Sequence, residues 1–189
     1  QDGLVPAPDR RPGEGLGPFP TLTIRNVMVI DGTGGPPFGP ANIIVENNRI
    51  ARIVNAGMPG VPSKEPAPPA APNMIDGTGM YVMPGFVNLH AHLGDPRKAP
   101  QNEYVYKLYL AHGVTTLRGV ELTAQPMAAK EKERSAANAI VAPRIFNYQR
   151  PGAGWANGLV DTPEKAREWV RWCAANGVDG MKLVAHPPA

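Results

Sequence analysis

From residue 86 onward the chain alternates between two kinds of segment, and this alternation limits the fold more than any other feature of the sequence. "FVNLHAHL" is a strand-like run, and "QNEYVYKLYLAHG" follows with apolar residues at helical spacing and a helix stop at Gly113. "VTTLRGVE" is β-branched again, "AQPMAAKEKERSAANAI" is Ala-rich, charged and helical, and "APRIFNYQ" is a strand. "DTPEKAREWVRWCAANG" then offers Asp161 and Glu164 at capping-box spacing, Pro163 early in the helix and Gly177 at its close, and "VDGMKLVA" is the last strand. A repeat of roughly 30 residues is the size of a βα unit, and such units build a parallel sheet. An eight-stranded βα barrel takes ~250 residues, so the α/β class predicted for 86–189 is the first half of a (β/α)8 TIM-like barrel. Half a barrel exposes two sheet edges and an unfilled interior. Completion is therefore expected from a C-terminal half of the same protein or from a second chain.

Ahead of this lies a region with strand periodicity only. Leu22, Ile24, Val27 and Val29 alternate before the turn "DGTGG", "ANIIVENNRIARIVN" reads as a hairpin turning at "ENNR", and "NMIDGTGMYVMPG" reads as a strand pair around a second "DGTG". Residues 21–85 are predicted to be part of a small β-sandwich domain. The 23 prolines and 21 glycines are spread unevenly, with 11 of the prolines and 5 of the glycines in "PAPDRRPGEGLGPFP" and "GMPGVPSKEPAPPAAP". Little apolar surface there offsets ordering entropy, so residues 1–20 read as an extended arm and 57–72 as a solvated loop.

Composition excludes several classes. With 42% apolar and 19% charged residues the chain can bury a core, and no apolar run approaches the ~20 residues that cross a bilayer, so no membrane partner is expected. The net charge of +3 comes from basic residues scattered among acids, unlike a nucleic-acid surface. Cys173 stands alone and has no internal disulfide partner. The first residue is Gln1 rather than Met; removal of a signal peptide, with a periplasmic or secreted location, is slightly preferred to a cytoplasmic one.

Two of the four histidines, His90 and His92, stand two apart in "MPGFVNLHAHLG". On a strand such residues share a face, and in a barrel that face is the interior, with chemistry at the C-terminal strand end. Two neutral imidazoles converging there suit Zn or a similar ion. An HxH taken alone is equally a pair of half-buried histidines held by hydrogen bonds. His112, at a helix end beside Gly113, reads as structural.

The words around this pair resemble the amidohydrolase superfamily of metal-dependent hydrolases, closest to its imidazolonepropionase-like and prolidase-like branches. "VIDGTGG" resembles the family's N-terminal β region and "IDGTGMYVMPGFVNLHAHL" its entry into the first barrel strand. "AHGVTTLRGV" is similar to its second strand, and "DTPEKAREWVRWCAANGVDGMKLVA" to its third helix and fourth strand. The resemblance spans residues 21 to about 186. It implies two divalent metal ions, Zn first, with His90 and His92 on the more buried one. Lys182 falls where the family carries a CO2-derived carbamate that bridges both metals. Chemistry requires the modification, because an ammonium cannot ligate a cation whereas a carbamate presents two anionic oxygens. Alternation with Met181 and Leu183 turns Lys182 to the opposite face, the barrel interior.

The resemblance further implies hydrolysis of an amide-type C–N bond, in an N-acyl amino acid, a dipeptide or a cyclic amide, by a metal-bridging hydroxide. Tyr148, Gln149 and Arg150 close the third strand and, with the loop "PGAGWANG", are expected to line a pocket; His186 is a candidate substrate contact. Where the family often has an aspartate after the strand-two arginine, this chain has Gly119. The family's remaining histidines and its strand-eight aspartate are not in this sequence, so activity is expected only with the other half present, in an assembly expected to be homo-oligomeric. The competing readings are a non-catalytic, degenerate relative with a binding role, and a decarboxylase or isomerase on the same scaffold.

Overall fold

The computed structural model describes residues 3–55, 57–58, 61–62, 73–93, 97–120 and 125–183. Two compact units emerge: Gly15–Pro84, and the segment from Gly85 onward together with the N-terminal residues through Glu14.

In the first unit β1 (Thr21–Val29), β2 (Phe38–Glu46) and β3 (Arg49–Asn55) form an antiparallel meander. Asn47 and Asn48 take positive φ values of 47° and 65°, the backbone of a tight hairpin turn, as "ENNR" predicts. β4 (Gly57–Met58) and β5 (Val61–Pro62) pair with each other inside the stretch read as a solvated loop; residues 63–72 lie outside the described set. β6 (Met74–Asp76) and β7 (Tyr81–Val82) differ from expectation. They do not pair with one another; each runs parallel to β1 and completes a five-stranded sheet. The Asp76 carboxylate accepts from the backbone and hydroxyl of Thr78, closing a local turn that sends the chain onward along β1 instead of folding it back. Val27, Val29, Ala41 and Ile43 bury one face.

In the second unit β8 (Phe86–Ala91), β9 (Val114–Val120), β10 (Arg144–Gln149) and β11 (Gly180–Met181) form a parallel sheet in sequence order. α1 (Asn102–Ala111), α2 (Gln125–Ala136) and α3 (Pro163–Ala175) are the crossovers. This is the α/β half-barrel that the alternation predicts, and the chain also holds a small β domain. Gly113 and Gly177 close α1 and α3 with φ of 75° and 72°. The cap of α3 is one residue from its expected place. The Thr162 hydroxyl accepts from the Lys165 amide, while Asp161 pairs with the Lys165 ammonium. No helix among the described residues is long and apolar enough to cross a membrane.

One face of the sheet packs on the helices through Ala91, Leu93, Leu117 and Ile145, with Tyr106 of α1 against them. At the edge of this core Glu131 of α2 is buried, accepting from the Tyr106 hydroxyl, from Asn102 at 2.8 Å and from the backbone of Ala7 at 2.7 Å. The N-terminal segment is thus extended yet tied down. Val5 pairs with Gln101, the Arg10 amide reaches the Ala139 carbonyl and Asp9 meets Arg134.

Burial, reinforced by the Glu131 carboxylate, pushes the Tyr106 phenol far above its ordinary range. A raised folded-state pKa stabilises the fold below the unfolded-state value and is lost above it. Stability should therefore fall from about pH 10 upward, by as much as ~1.4 kcal/mol per pH unit from this group. Tyr106→Phe should be about 1–2 kcal/mol less stable at pH 7, through the donor lost to Glu131, but have a flatter alkaline limb in urea titrations. Equal alkaline slopes for the two proteins would contradict this.

Candidate metal centre

The strand that leads into the two histidines is preceded by a forced glycine. A Cβ on Gly85 would lie 2.0 Å from the Thr115 hydroxyl and 2.7 Å from its Cβ on the neighbouring strand, so "MPGF" needs glycine for β8 to approach β9. The Phe86 amide then donates to the Gly113 carbonyl at 2.8 Å. Asn88 pairs with Leu117 and Ala91 with Gly119, so three steps along β8 span two along β9. The extra residue is a bulge, and the Asn88 side-chain oxygen accepts the His90 amide at 3.0 Å within it.

At and after the bulge Ala91 and Leu93 point into the helix-side core, and His90 and His92 are exposed on the other side. Their Nε2 atoms lie 3.0 Å apart, with ring centroids separated by 5.0 Å and planes tilted by 47°. The Tyr109 hydroxyl of α1 donates to the His92 carbonyl at 3.0 Å and steadies the strand end. Lys182 follows β11, its amide donating to Gln149 at 2.9 Å. Its half-buried side chain returns across the sheet, with Nζ 3.4 Å from both ring nitrogens of His90.

Two nitrogen donors on one cation at ~2.0–2.1 Å each are held roughly 3 Å apart, so the observed spacing fits a shared divalent ion. Among the described residues no group of three or more His, Cys, Asp or Glu side chains converges, so the fit is for two histidines with Lys182 beside them.

The pleat sorts the remaining candidates. Tyr148 is half-buried, its ring 4.5 Å beneath the Arg118 guanidinium. Gln149 does not line a pocket. It points to the helix side and is buried, donating to Asn147, which donates to Gln125 of α2, which donates to the Asn176 carbonyl. Asp179 accepts from the Asn147 amide and pairs with Lys132 of α2, so the start of β11 is fixed from the same side. Arg150 is exposed just beyond β10. His186 lies outside the described residues. His112 is the C-terminal cap of α1, its Nδ1 at 2.8 Å from the Leu108 carbonyl. Cys173 is buried on α3 and its thiol is pushed up to about 11 by desolvation, which keeps it unreactive. Sequence reading gave Arg118 no role, although burial of Leu117 turns its neighbour inward, and it missed Glu131, whose buried partners come from distant segments.

No family model matches the chain. A putative prolidase from Bifidobacterium longum is 26% identical, with a TM-score of 0.66 over 89% of this chain and 41% of that one. Phenylurea hydrolase B is 28% identical, with a TM-score of 0.54 over 67% of this chain and 30% of that one. A dihydroorotase of Thermus aquaticus is 28% identical over 116 residues, 60% of this chain and 24% of its own length. The chain thus spans less than half of each. These structural neighbours are amidohydrolase-superfamily hydrolases.

The close approach at Gly85 yields a test. Gly85→Ala should force β8 off Thr115, costing about 1–3 kcal/mol as in other overpacked sites, and shift the His90 and His92 imidazole resonances. Unchanged melting and unchanged imidazole signals would show that the strand spacing does not depend on this glycine.

Proposed function

On the fold of the amidohydrolase superfamily, which this chain shares with its neighbours, we propose that the protein is a metal-dependent hydrolase of amide-type C–N bonds in acylated amino acids, dipeptides or cyclic amides. The observation that carries this reading is the convergence of the two Nε2 atoms at 3.0 Å with the Lys182 amine against the same ring. His90 and His92 would be the protein's nitrogen donors to such an ion, and Lys182, once its amine had added CO2 and lost a proton, would offer anionic oxygens as further donors. A divalent ion, Zn first, would supply there the activation of water toward a pKa of ~7 and the polarisation of a substrate carbonyl.

The chain's own residues supply placement. Asn88 and Tyr109 hold the backbone on either side of the histidines, and the Gln149 carbonyl holds that of Lys182. The Tyr148 ring flanks the sheet face on which substrate would lie. Turnover is proposed to need further βα units, from the same protein or a second chain. The exposed Val87 and Leu89 on β8 and Phe146 on β10 support this, as apolar surface that added strands would cover.

Calorimetric titration of Zn into the chelator-treated chain tests the reading. Saturable binding is expected, weakened at least about tenfold by His90→Ala or His92→Ala. With 13C-bicarbonate, a carbamate resonance should appear and be absent in Lys182→Arg. A chain that binds no divalent ion in either form refutes the proposal and favours a binding role without catalysis.

A further inference from the structure

Among the described residues the inner face of the half-barrel is one-sided in charge. The four strands "FVNLHA", "VTTLRGV", "RIFNYQ" and "GM" contain no Asp or Glu, and Asp179, just before β11, is taken by Lys132 of α2. Opposite any missing carboxylate stands Arg118, exposed at the middle of β9. Register places it beside the stretch between Asn88 and Ala91 that carries His90, because its neighbours Leu117 and Gly119 pair with those two residues. Adjacent strands lie ~4.8 Å apart, so Arg118 is rooted one strand away from the histidine pair.

Its geometry is built rather than incidental. Tyr148 pairs with Gly180 on β11, where a Cβ would come within 2.4 Å of the Tyr148 ring, so the glycine lets the ring lie down over β11. On that ring sits the Arg118 guanidinium, at 4.5 Å from the centroid. A guanidinium stacked on an aromatic face has its plane fixed while the N–H groups at its edge stay available, the arrangement that receives a carboxylate through two parallel hydrogen bonds. Among the described residues no carboxylate occupies those donors.

We propose that Arg118, placed over the Tyr148 ring beside Gly180, is the carboxylate-binding group of the site, and that the substrates are anionic: acyl amino acids or dipeptides with a free carboxylate, in preference to neutral cyclic amides or ureas. The proposal rests on the hydrolase reading for the bond that is cut, but the carboxylate contact itself needs no metal. Lys182 is another cation on this face. Its amine is turned to His90, and Arg144, which shares this face, stands at the opposite, N-terminal end of β10, so Arg118 is the cation set over an aromatic ring at the histidine end of the sheet.

The test is a pair of NMR titrations of the chelator-treated chain with N-acetyl-L-proline and with N-acetyl-L-prolinamide, which differ in the charge of one group. The acid should bind at least about tenfold more tightly than the amide. Arg118→Gln should abolish that preference, and Tyr148→Leu should reduce it by freeing the guanidinium. Arg118→Lys should lose most of it, because a point charge cannot make the paired contact. Equal binding of acid and amide by the parent chain, or a preference that survives Arg118→Gln, overturns the proposal; Arg118→Lys matching the parent overturns its stacked, two-bond form. Should Arg118→Gln lose its folded amide spectrum, the charge-retaining Arg118→Lys and Tyr148→Leu decide by the same criterion. The Zn titration separates the two claims. Zn binding without an Arg118-dependent preference sinks only this inference, and the preference without Zn binding sinks only the metal reading.

Discussion

Everything on the functional face depends on how firmly the opposite face is buried. Ala91, Leu93, Leu117 and Ile145 pack with Tyr106 on the helix side, and a strand that turns one residue inward must turn its neighbour outward. A one-residue slip would exchange the two sets and bury His90, His92 and Arg118 among apolar side chains, where charge or metal binding would carry a desolvation cost. The apolar contacts therefore fix the register, and the register fixes the chemistry. The bulge in β8 refines this, because it adds one residue to the strand while Ala91 keeps its partner Gly119.

Buried polar groups supply the second layer of constraint. The relay from Gln149 through Asn147 and Gln125 to the Asn176 carbonyl joins β10 to α2 and to the end of α3. A hydrogen-bonded chain of amides has few alternative arrangements, since any slip strands a buried donor. Lys182 hangs from the Gln149 carbonyl, so the position of its amine is inherited from that relay. On the other side of α2, Glu131 performs the same service for α1 and for the N-terminal segment.

The sequence was legible where the signal is local. Alternating strand and helix words, the two asparagines of the β2–β3 turn and the glycines that end α1 and α3 each act within a few residues, and each was readable. Pairing partners were not. β6 and β7 have the alternation of a hairpin, yet both align with β1, a choice set by a strand some fifty residues earlier. Composition conveys the extended character of the N-terminal arm but not its partners. Polar ties to Glu131, Ala139 and Arg134 hold residues 5–10 against the barrel unit. Gln149 looked like a pocket residue because a glutamine near a strand end is usually solvated; its partners on α2 could not be seen from its neighbours.

The site was legible to the extent that it follows from pleat and spacing. The inward turn of Lys182 follows from Met181 and Leu183, and its Nζ does meet His90. What spacing cannot convey is which inward residues face each other across strands. Arg118 and Tyr148 belong to different βα units, and Gly180, which gives the ring its room, belongs to a third. None has a local signature, and an arginine within "TTLRGV" reads as another inward polar residue. Only the parallel register, with Arg118 opposite Phe146 and Tyr148 opposite Gly180, assembles them into a flat cation beside the histidine pair. Convergence of the C-terminal strand ends makes this sheet a candidate site. One strand contributes the donors, the next a cation, the third the platform under that cation, and the fourth the amine that closes on the first.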